Sequence, residues 1–509
     1  MKATKLLYTL SSGFIFWACS LEPIVYDKLE ASNALNTESD VRTALTGLYH
    51  ELRGAGWEQY NCAWGSLLTM QVGCTDECDC NWVWDVQLDY LWKPETVDMG
   101  LFYTELIPSV TMATSFIERI KKVKISAPAK RKYVAEARCL RALWAYDLYD
   151  LYGTVPIVTD PEIALNPEAA IKYAPERPAV DWYVNFVDTE LKAAEENLPE
   201  ASERNSSEWG RMTKGIARMY MLKLYLHEAG QETHYRGNPD KARKWWERVD
   251  SISTVIINSK QYELVKDYPD IWSPKNQQNK EIIFPVPCFA VGGLGNNFLA
   301  HALPADYISH NGIALTKWGG FLVPWEFYDT YDKDDKRRNV LLTKYWNGKR
   351  EVDRRTEYTG KPGAIPMKYQ ENSNTTGEWD ASDYVIDRYA EVLLAKAEAL
   401  NELQGPVQEA KDLVHQVRAR AFDNYYSSLH HAEIEAISSK EEFRDHILDE
   451  RGWEFCWEGM RRPDLIRHGK LISNALARGK IMADSKHILY AIPSDAIYEN
   501  PNIKQNEGF

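Results

Sequence analysis

The sequence predicts a mainly α fold: a scaffold of tetratricopeptide-like helical hairpins interrupted by long irregular loop insertions. Three observations predict it. Three eighteen-residue segments share one apolar pattern and one closing glycine. Two of them are followed by a second helix-forming segment behind a proline. A long middle stretch drops the helical pattern for Pro, Gly, Asn and aromatic residues.

The three segments are EARCLRALWAYDLYDLYG from Glu136 to Gly153, TKGIARMYMLKLYLHEAG from Thr213 to Gly230, and RYAEVLLAKAEALNELQG from Arg388 to Gly405. Aligned on their last residues, apolar or small side chains recur together: Leu140, Ala217 and Val392; Leu143, Tyr220 and Ala395; Leu148, Tyr225 and Leu400. Steps of three and then five residues keep these positions on one helical face. A terminal glycine can adopt the left-handed conformation that closes a helix. NPDKARKWWERVDSIS follows Gly230 and PVQEAKDLVHQVRARAF follows Gly405. Proline suits the first turn of such a helix. Helix, glycine, turn, proline, helix is the pattern of a repeat hairpin, and plain antiparallel helix pairs are the simpler alternative. Helical repeats are expected over about 97–260 and 383–470.

Between about 261 and 380 the texture changes, as in DYPDIWSPKNQQ, VGGLGNN and KWGGFLVPWEFYD. Short strand candidates such as EIIFPV (281–286) are bounded by breakers. The stretch from about 54 to 95 has the same character. Long loops on a rigid scaffold are where binding usually resides.

The first eighteen residues, MKATKLLYTLSSGFIFWA, place Lys2 and Lys5 before an apolar run, with small Ala18 ahead of Cys19. That is the order of a secretory signal, and the run is too short for a stable membrane span. A cysteine immediately after it points to lipid attachment at Cys19. Loss of Lys2 and Lys5 with the leader takes the formal charge from −14 to −16. So acidic a chain, with no basic stripe, makes nucleic acid an unsuitable partner. No Gly-rich phosphate loop, His-Glu-x-x-His or Gly-x-Ser-x-Gly occurs, so no such motif points to a catalytic residue, metal or cofactor, while acid pairs among 74 Asp and Glu are too many to exclude a glycosidase by counting. His430 and His431 are adjacent, and adjacent side chains on a helix point apart.

The stretch CTDECDCNWVWD (74–85) poses the sharpest question. Cys74, Cys78 and Cys80 offer three thiolates with no histidine nearby. An exported protein favours disulfides, here between members of Cys62, Cys74, Cys78 and Cys80; free thiols and a metal are the alternatives. In NWVWD, Trp82 and Trp84 alternate, so in an extended segment both face one side, flanked by Asn81 and Asp85. Paired indoles with polar edges suit the apolar C–H faces and hydroxyls of a sugar; burial as core is the other reading.

DERGWEFCWEGMRRPDLIRHGK (449–470) resembles the C-terminal signature of the SusD/RagB family, outer-membrane nutrient-binding lipoproteins of Bacteroidetes. Glu450, Arg451, Glu454, Glu458, Gly459, Arg461, Asp464, Leu465, Arg467 and Gly469 carry the likeness. The closing IPSDAIYENPNIKQNEGF (492–509) and the three helical segments resemble the family too. Arg462-Pro463 and Ala496 depart from its usual residues. We read the signature's charges, spaced by four, as structural pairs between carboxylates and guanidinium forks.

The resemblance implies one SusD-like domain over residues 19–509. It also implies a lipid-anchored, surface-exposed outer-membrane protein that binds glycan and does no bond chemistry. Its expected partners are an oligosaccharide and a SusC-like TonB-dependent transporter. A peptide-binding lid for the same type of transporter, or a glycan-degrading enzyme, are the alternatives. In the family, ligand sites come from loops of the first third and the middle insertion. Here that implies Trp82 and Trp84 meeting Tyr307, Trp318 or Trp325, with Asn81 at the edge and Asp76 and Arg53 as further candidates.

Overall fold

The computed structural model describes residues 35–53, 60, 66–82, 84–310, 312–357 and 360–509. The leader, Cys19 and Cys62 lie outside them. The scaffold is a succession of antiparallel helices: α1 (Glu38–His50), α2 (Val97–Arg119), α3 (Ala127–Tyr152), α4 (Val180–Glu195), α5 (Lys214–His234) and α6 (Pro239–Ser259). After the insertion come α7 (Tyr389–Gln404), α8 (Gln408–Arg418), α9 (Leu429–Ala436), α10 (Lys440–Glu454) and α11 (Arg461–Arg467). From α2 to α8 each packs on the next in the chain, so the insertion interrupts the sequence but not the stack. Among the described residues no helix is long and apolar enough to cross a membrane.

Local chemistry sets the helix ends. Ser126, Thr213 and Asn238 cap α3, α5 and α6 by accepting a backbone N–H. Gly153 and Gly405 follow α3 and α7 with φ of 75° and 85°, as the repeat pattern predicts. Gly230 behaves differently. Helix α5 runs through it to His234. A Cβ there would fall 2.7 Å from the Arg467 backbone, so this glycine admits α11 at close range and closes nothing. Pro239 opens α6 as expected, whereas Pro406 stands ahead of the cap residue of α8 and outside the helix.

The middle insertion contains only short elements among its described residues. Strand β2 (Ile282–Val286) pairs antiparallel with β6 (Tyr384–Arg388), bringing the start and end of the insertion together. Strand β1 (Asp79–Cys80) pairs with β3 (Phe321–Leu322), stitching the first insertion to the middle one. Strands β4 (Lys344–Trp346) and β5 (Glu351–Asp353) form a hairpin across Asn347-Gly348.

A buried knot of ion pairs fixes the insertion to the C-terminal helices. Glu454 accepts from Arg388 (2.6 Å), Arg420 (2.5 Å) and Arg337 (2.9 Å). Glu450 accepts from Arg337 and Arg418, each at 2.6 Å. Glu458 accepts from Arg388 (2.7 Å) and Lys368 (2.5 Å), and Glu281 from Arg388 and Arg420. Asp335 completes the set against Arg337. Five cations thus face five carboxylates. Burial opposes the charge of Glu454, but the three guanidiniums outweigh it and hold the carboxyl well below the ordinary range. The signature charges are structural pairs, as their spacing suggested. Arg467 likewise grips Glu398, and Arg451 grips Asp464.

The cysteine stretch that begins at Cys74 is welded into this core. Asp76 takes both ends of the Arg461 fork at 2.8 Å and accepts from Asn474. Glu77 is buried and accepts from the Trp457 backbone N–H (3.1 Å). Cys74, Cys78 and Cys80 are free, buried thiols, which corrects the expectation of a bridge among these three. Burial pushes the Cys80 thiol up to about 12. They act as small apolar core groups, not as thiolate ligands.

Candidate functional site

The described surface carries an aromatic face where the two insertions meet. Trp318 is 42% exposed. Its backbone N–H donates to the Ala300 carbonyl (2.7 Å), and the Gly320 N–H donates to that of His301 (2.7 Å). His301 stands edge-on to Trp318, with ring centroids 4.7 Å apart, and edge-on to Trp82 at 5.5 Å. Trp82, half-buried, lies against the Gly320 backbone, where any Cβ would fall 2.5 Å from the indole. The three rings therefore form a continuous row: Trp82, His301, Trp318. Burial holds His301 at about 4, so the ring is neutral near pH 7 and acts as a packing spacer. Phe321 stacks beneath His301 at 5.1 Å and leads into Trp457 and the core.

The row contains some of the residues expected for the site and not others. Trp82 and Trp318 meet through His301. Trp84 is only 1% exposed. Its N–H bonds to the Trp82 carbonyl at 2.9 Å, so the segment turns instead of running extended. The alternation argument therefore fails: Trp84 packs edge-on beneath Trp82 at 6.0 Å as the foundation of the platform. Asn81 donates to the Gly319 carbonyl at 2.7 Å, so its amide is spent holding the 319–320 turn. Asp76 is committed to Arg461, and Arg53 donates to Cys288. Tyr307 is buried beside Tyr345. Trp325 joins a separate cluster, with Arg355 4.1 Å above its ring and Tyr328 beside it.

One ring of the row and one exposed indole outside it escaped the sequence reading. His301 carried no motif; only the fold shows it between two indoles. Trp346 is 45% exposed, and its carbonyl accepts from the Ile308 N–H of the loop that leads to Trp318. An Asn-Gly hairpin flanking Lys-Tyr-Trp was a readable signal, since alternation buries Tyr345 and turns Trp346 out.

Two strongly perturbed carboxylates lie elsewhere, inside the helical stack. Burial pushes Asp147 up to about 8 and Glu391 up to about 7. They face Lys223 around a cavity of about 60 Å³. That space suits one or two waters and is far below what a sugar ring needs. The exposed indoles can offer flat apolar area; these carboxylates can offer a substrate nothing.

The comparisons agree with this architecture. Residues 324–509 match the SusD family model. SusD-like protein P25 of Formosa agariphila is 25% identical over 387 residues, 68% of this chain and 66% of that protein, so the chain spans about two thirds of that relative. A SusD homolog of Bacteroides thetaiotaomicron superposes with a TM-score of 0.78 at 20% identity, covering 95% of this chain and 99% of the other. Surface glycan-binding protein A of the same organism, solved with laminarihexaose, superposes with a TM-score of 0.71 at 20% identity, covering 92% and 100%. Signature, closing segment, helical stack and these matches coincide: residues 324–509 are similar to the SusD family, and the chain shares the fold of these SusD-like proteins.

Proposed function

We propose that this chain is a lipid-anchored glycan-binding protein of the outer cell surface, delivering oligosaccharide to a SusC-like TonB-dependent transporter. It captures ligand without breaking bonds. The observation that carries the reading is Trp318, a large indole left 42% exposed yet braced by His301 against Trp82. A rigid ring loses little entropy on binding and offers a flat face to a pyranose. Trp346 on the neighbouring hairpin offers a second ring for a longer chain. The half-buried Thr316 near Trp318 is a polar partner for the hydroxyls, whereas the Lys317 ammonium is held by the Tyr307 carbonyl at 2.6 Å. A fold neighbour solved with laminarihexaose supports an oligosaccharide as the ligand class. Anchoring at Cys19 rests on the leader sequence and the transporter partner on the similarity of residues 324–509 to the SusD family.

Affinity electrophoresis and calorimetry against a panel of soluble polysaccharides, laminarin and starch included, test the proposal. At least one glycan is expected to bind without being shortened. Trp318→Ala is expected to weaken that binding roughly thirtyfold. Full affinity in both Trp318→Ala and Trp82→Ala would remove the site. Release of shorter products from the bound glycan would replace the binding protein with an enzyme.

A further inference from the structure

The adjacent histidines set aside in the sequence separate as their spacing requires, and one of them finds a different partner. His430 turns to Phe422, with ring centroids 4.2 Å apart. His431 turns to a different side of α9 and stacks on His415 of α8, centroids 4.2 Å apart and planes 24° from parallel. Glu435, one turn beyond His431 on α9, reaches the same place: its carboxylate lies 2.8 Å from His415 Nε2 and 4.0 Å from His431 Nε2. One ligand atom from each of the three residues falls within 4.8 Å of the other two.

We propose that His415, His431 and Glu435 form a binding site for a divalent transition metal of the zinc type. Two imidazole nitrogens and one carboxylate oxygen are the donor set such ions take, with a fourth position left to water or to an incoming ligand. Tetrahedral ligands at about 2.0–2.1 Å from zinc stand about 3.3 Å apart. The present 2.8 Å and 4.0 Å bracket that spacing, and since rings stacked 24° from parallel cannot both aim a lone pair at one ion, binding also requires His431 to rotate out of the stack. His431 is partly exposed and free to do so, while His415 is buried and fixed.

The surroundings are organised as an outer shell. The Tyr425 hydroxyl lies 2.7 Å from His415 Nδ1. When Nε2 holds a metal, Nδ1 must carry the proton, and a hydroxyl can accept it as readily as it can donate. Gln408 donates to the Glu435 carboxylate at 2.9 Å and so orients it. Lys411 bonds to the Glu435 backbone carbonyl, ending close by without occupying the carboxylate. A bound ion would tie α8, the Tyr425 turn and α9 together, far in sequence from the aromatic row. The site is therefore independent of the glycan reading.

The test uses tag-free protein freed of metal with a chelator. Zn²⁺ binding is followed by calorimetry, and Co²⁺ is used as a coloured reporter of nitrogen and oxygen ligation. One equivalent of Zn²⁺ is expected to bind, with a rise in melting temperature, and Co²⁺ to give a visible band. His431→Ala and Glu435→Gln, both at partly exposed positions, are expected to weaken Zn²⁺ at least about tenfold while melting like the parent without metal. Tyr425→Phe is expected to weaken it about tenfold through the outer shell alone. Absence of Zn²⁺ and Co²⁺ binding in the parent would overturn the proposal. So would binding that is unchanged in both His431→Ala and Glu435→Gln.

Discussion

The ion-pair knot around Glu454 and the aromatic row ending at Trp318 are both built where insertion meets scaffold, yet they leave opposite residues behind. In the knot, five cations meet five carboxylates with little solvent access, and Glu454 alone receives three guanidiniums. In the row, each ring rests on a more deeply buried one until the last indole is left nearly half in water. A satisfied cluster holds a fold together and has nothing left to offer a ligand. An unsatisfied large ring held rigid by satisfied neighbours is what a binding face requires. The difference separates residues that keep the loops in place from those the loops are kept in place to present.

The largest expected effect lies in the knot. Glu454→Ala would leave Arg337, Arg388 and Arg420 facing one another with one carboxylate fewer. Breaking a buried pair by removing one partner costs about 3–5 kcal/mol. Urea unfolding followed by tryptophan fluorescence should show a loss of that order. Little change in the midpoint would mean that the knot is not what fastens the insertion. The same groups set an acid limit. Glu450 and Glu454 are buried, but their guanidinium partners hold them below the ordinary carboxylate value of 4.5. Their contribution is present above that value and is lost as pH falls through the depressed ones.

The row should respond in the reverse sense. Trp318→Ala removes an exposed ring, so stability should change by less than about 0.5 kcal/mol. Glycan affinity should fall by about 2 kcal/mol, roughly thirtyfold, as for a central aromatic contact. A variant that loses stability and keeps affinity would reverse the assignment of the two regions. Gly320→Ala is a subtler probe of the brace. Its Cβ would press on the Trp82 indole at 2.5 Å, so the ring must shift. Overpacking of this kind should cost about 1–2 kcal/mol of stability. Glycan affinity should fall with it, through displacement of Trp82.

How far each region was legible follows from the range of the interactions that build it. The closing glycines of α3 and α7 could be read because a helix end is decided within a few residues. Gly230 could not, because its partner is the Arg467 backbone. The knot was legible as charge spacing on one helix, although its partners Arg337, Arg388 and Glu281 come from the insertion. Trp318 and Trp82 could be nominated by residue type and loop context, but His301 between them could not. Trp84 misled because an extended segment was assumed where a 2.9 Å Trp84-to-Trp82 backbone bond makes a turn. The thiols misled because compartment chemistry was weighed without burial. Asp76 was assigned to a ligand while its partner, Arg461, lay 385 residues away.

Glu77 ties the two regions together, since it sits beneath the row against Trp457 and borders the knot through Lys368. Burial pushes its carboxyl from the ordinary 4.5 up to about 8, against the pull of Arg461 and Lys368 and with the help of Asp76. One of its oxygens has no hydrogen-bond partner among the described residues, as suits a protonated acid. Between about pH 4.5 and pH 8 the unfolded chain releases this proton and the folded chain keeps it. Glu77 therefore supports stability fully below 4.5 and loses that support as pH rises towards 8. Asp147 and Glu391 act in the same direction, so the slope of the parent alone does not isolate Glu77. Glu77→Gln does: the amide needs no proton and keeps an oxygen for the Trp457 N–H. Relative to the parent, the variant should gain about 3 kcal/mol on going from pH 5 to pH 8, at about 1.4 kcal/mol per pH unit. A constant difference between the two proteins across that range would mean that Glu77 is ionised in the fold, and that the floor of the aromatic row carries a charge.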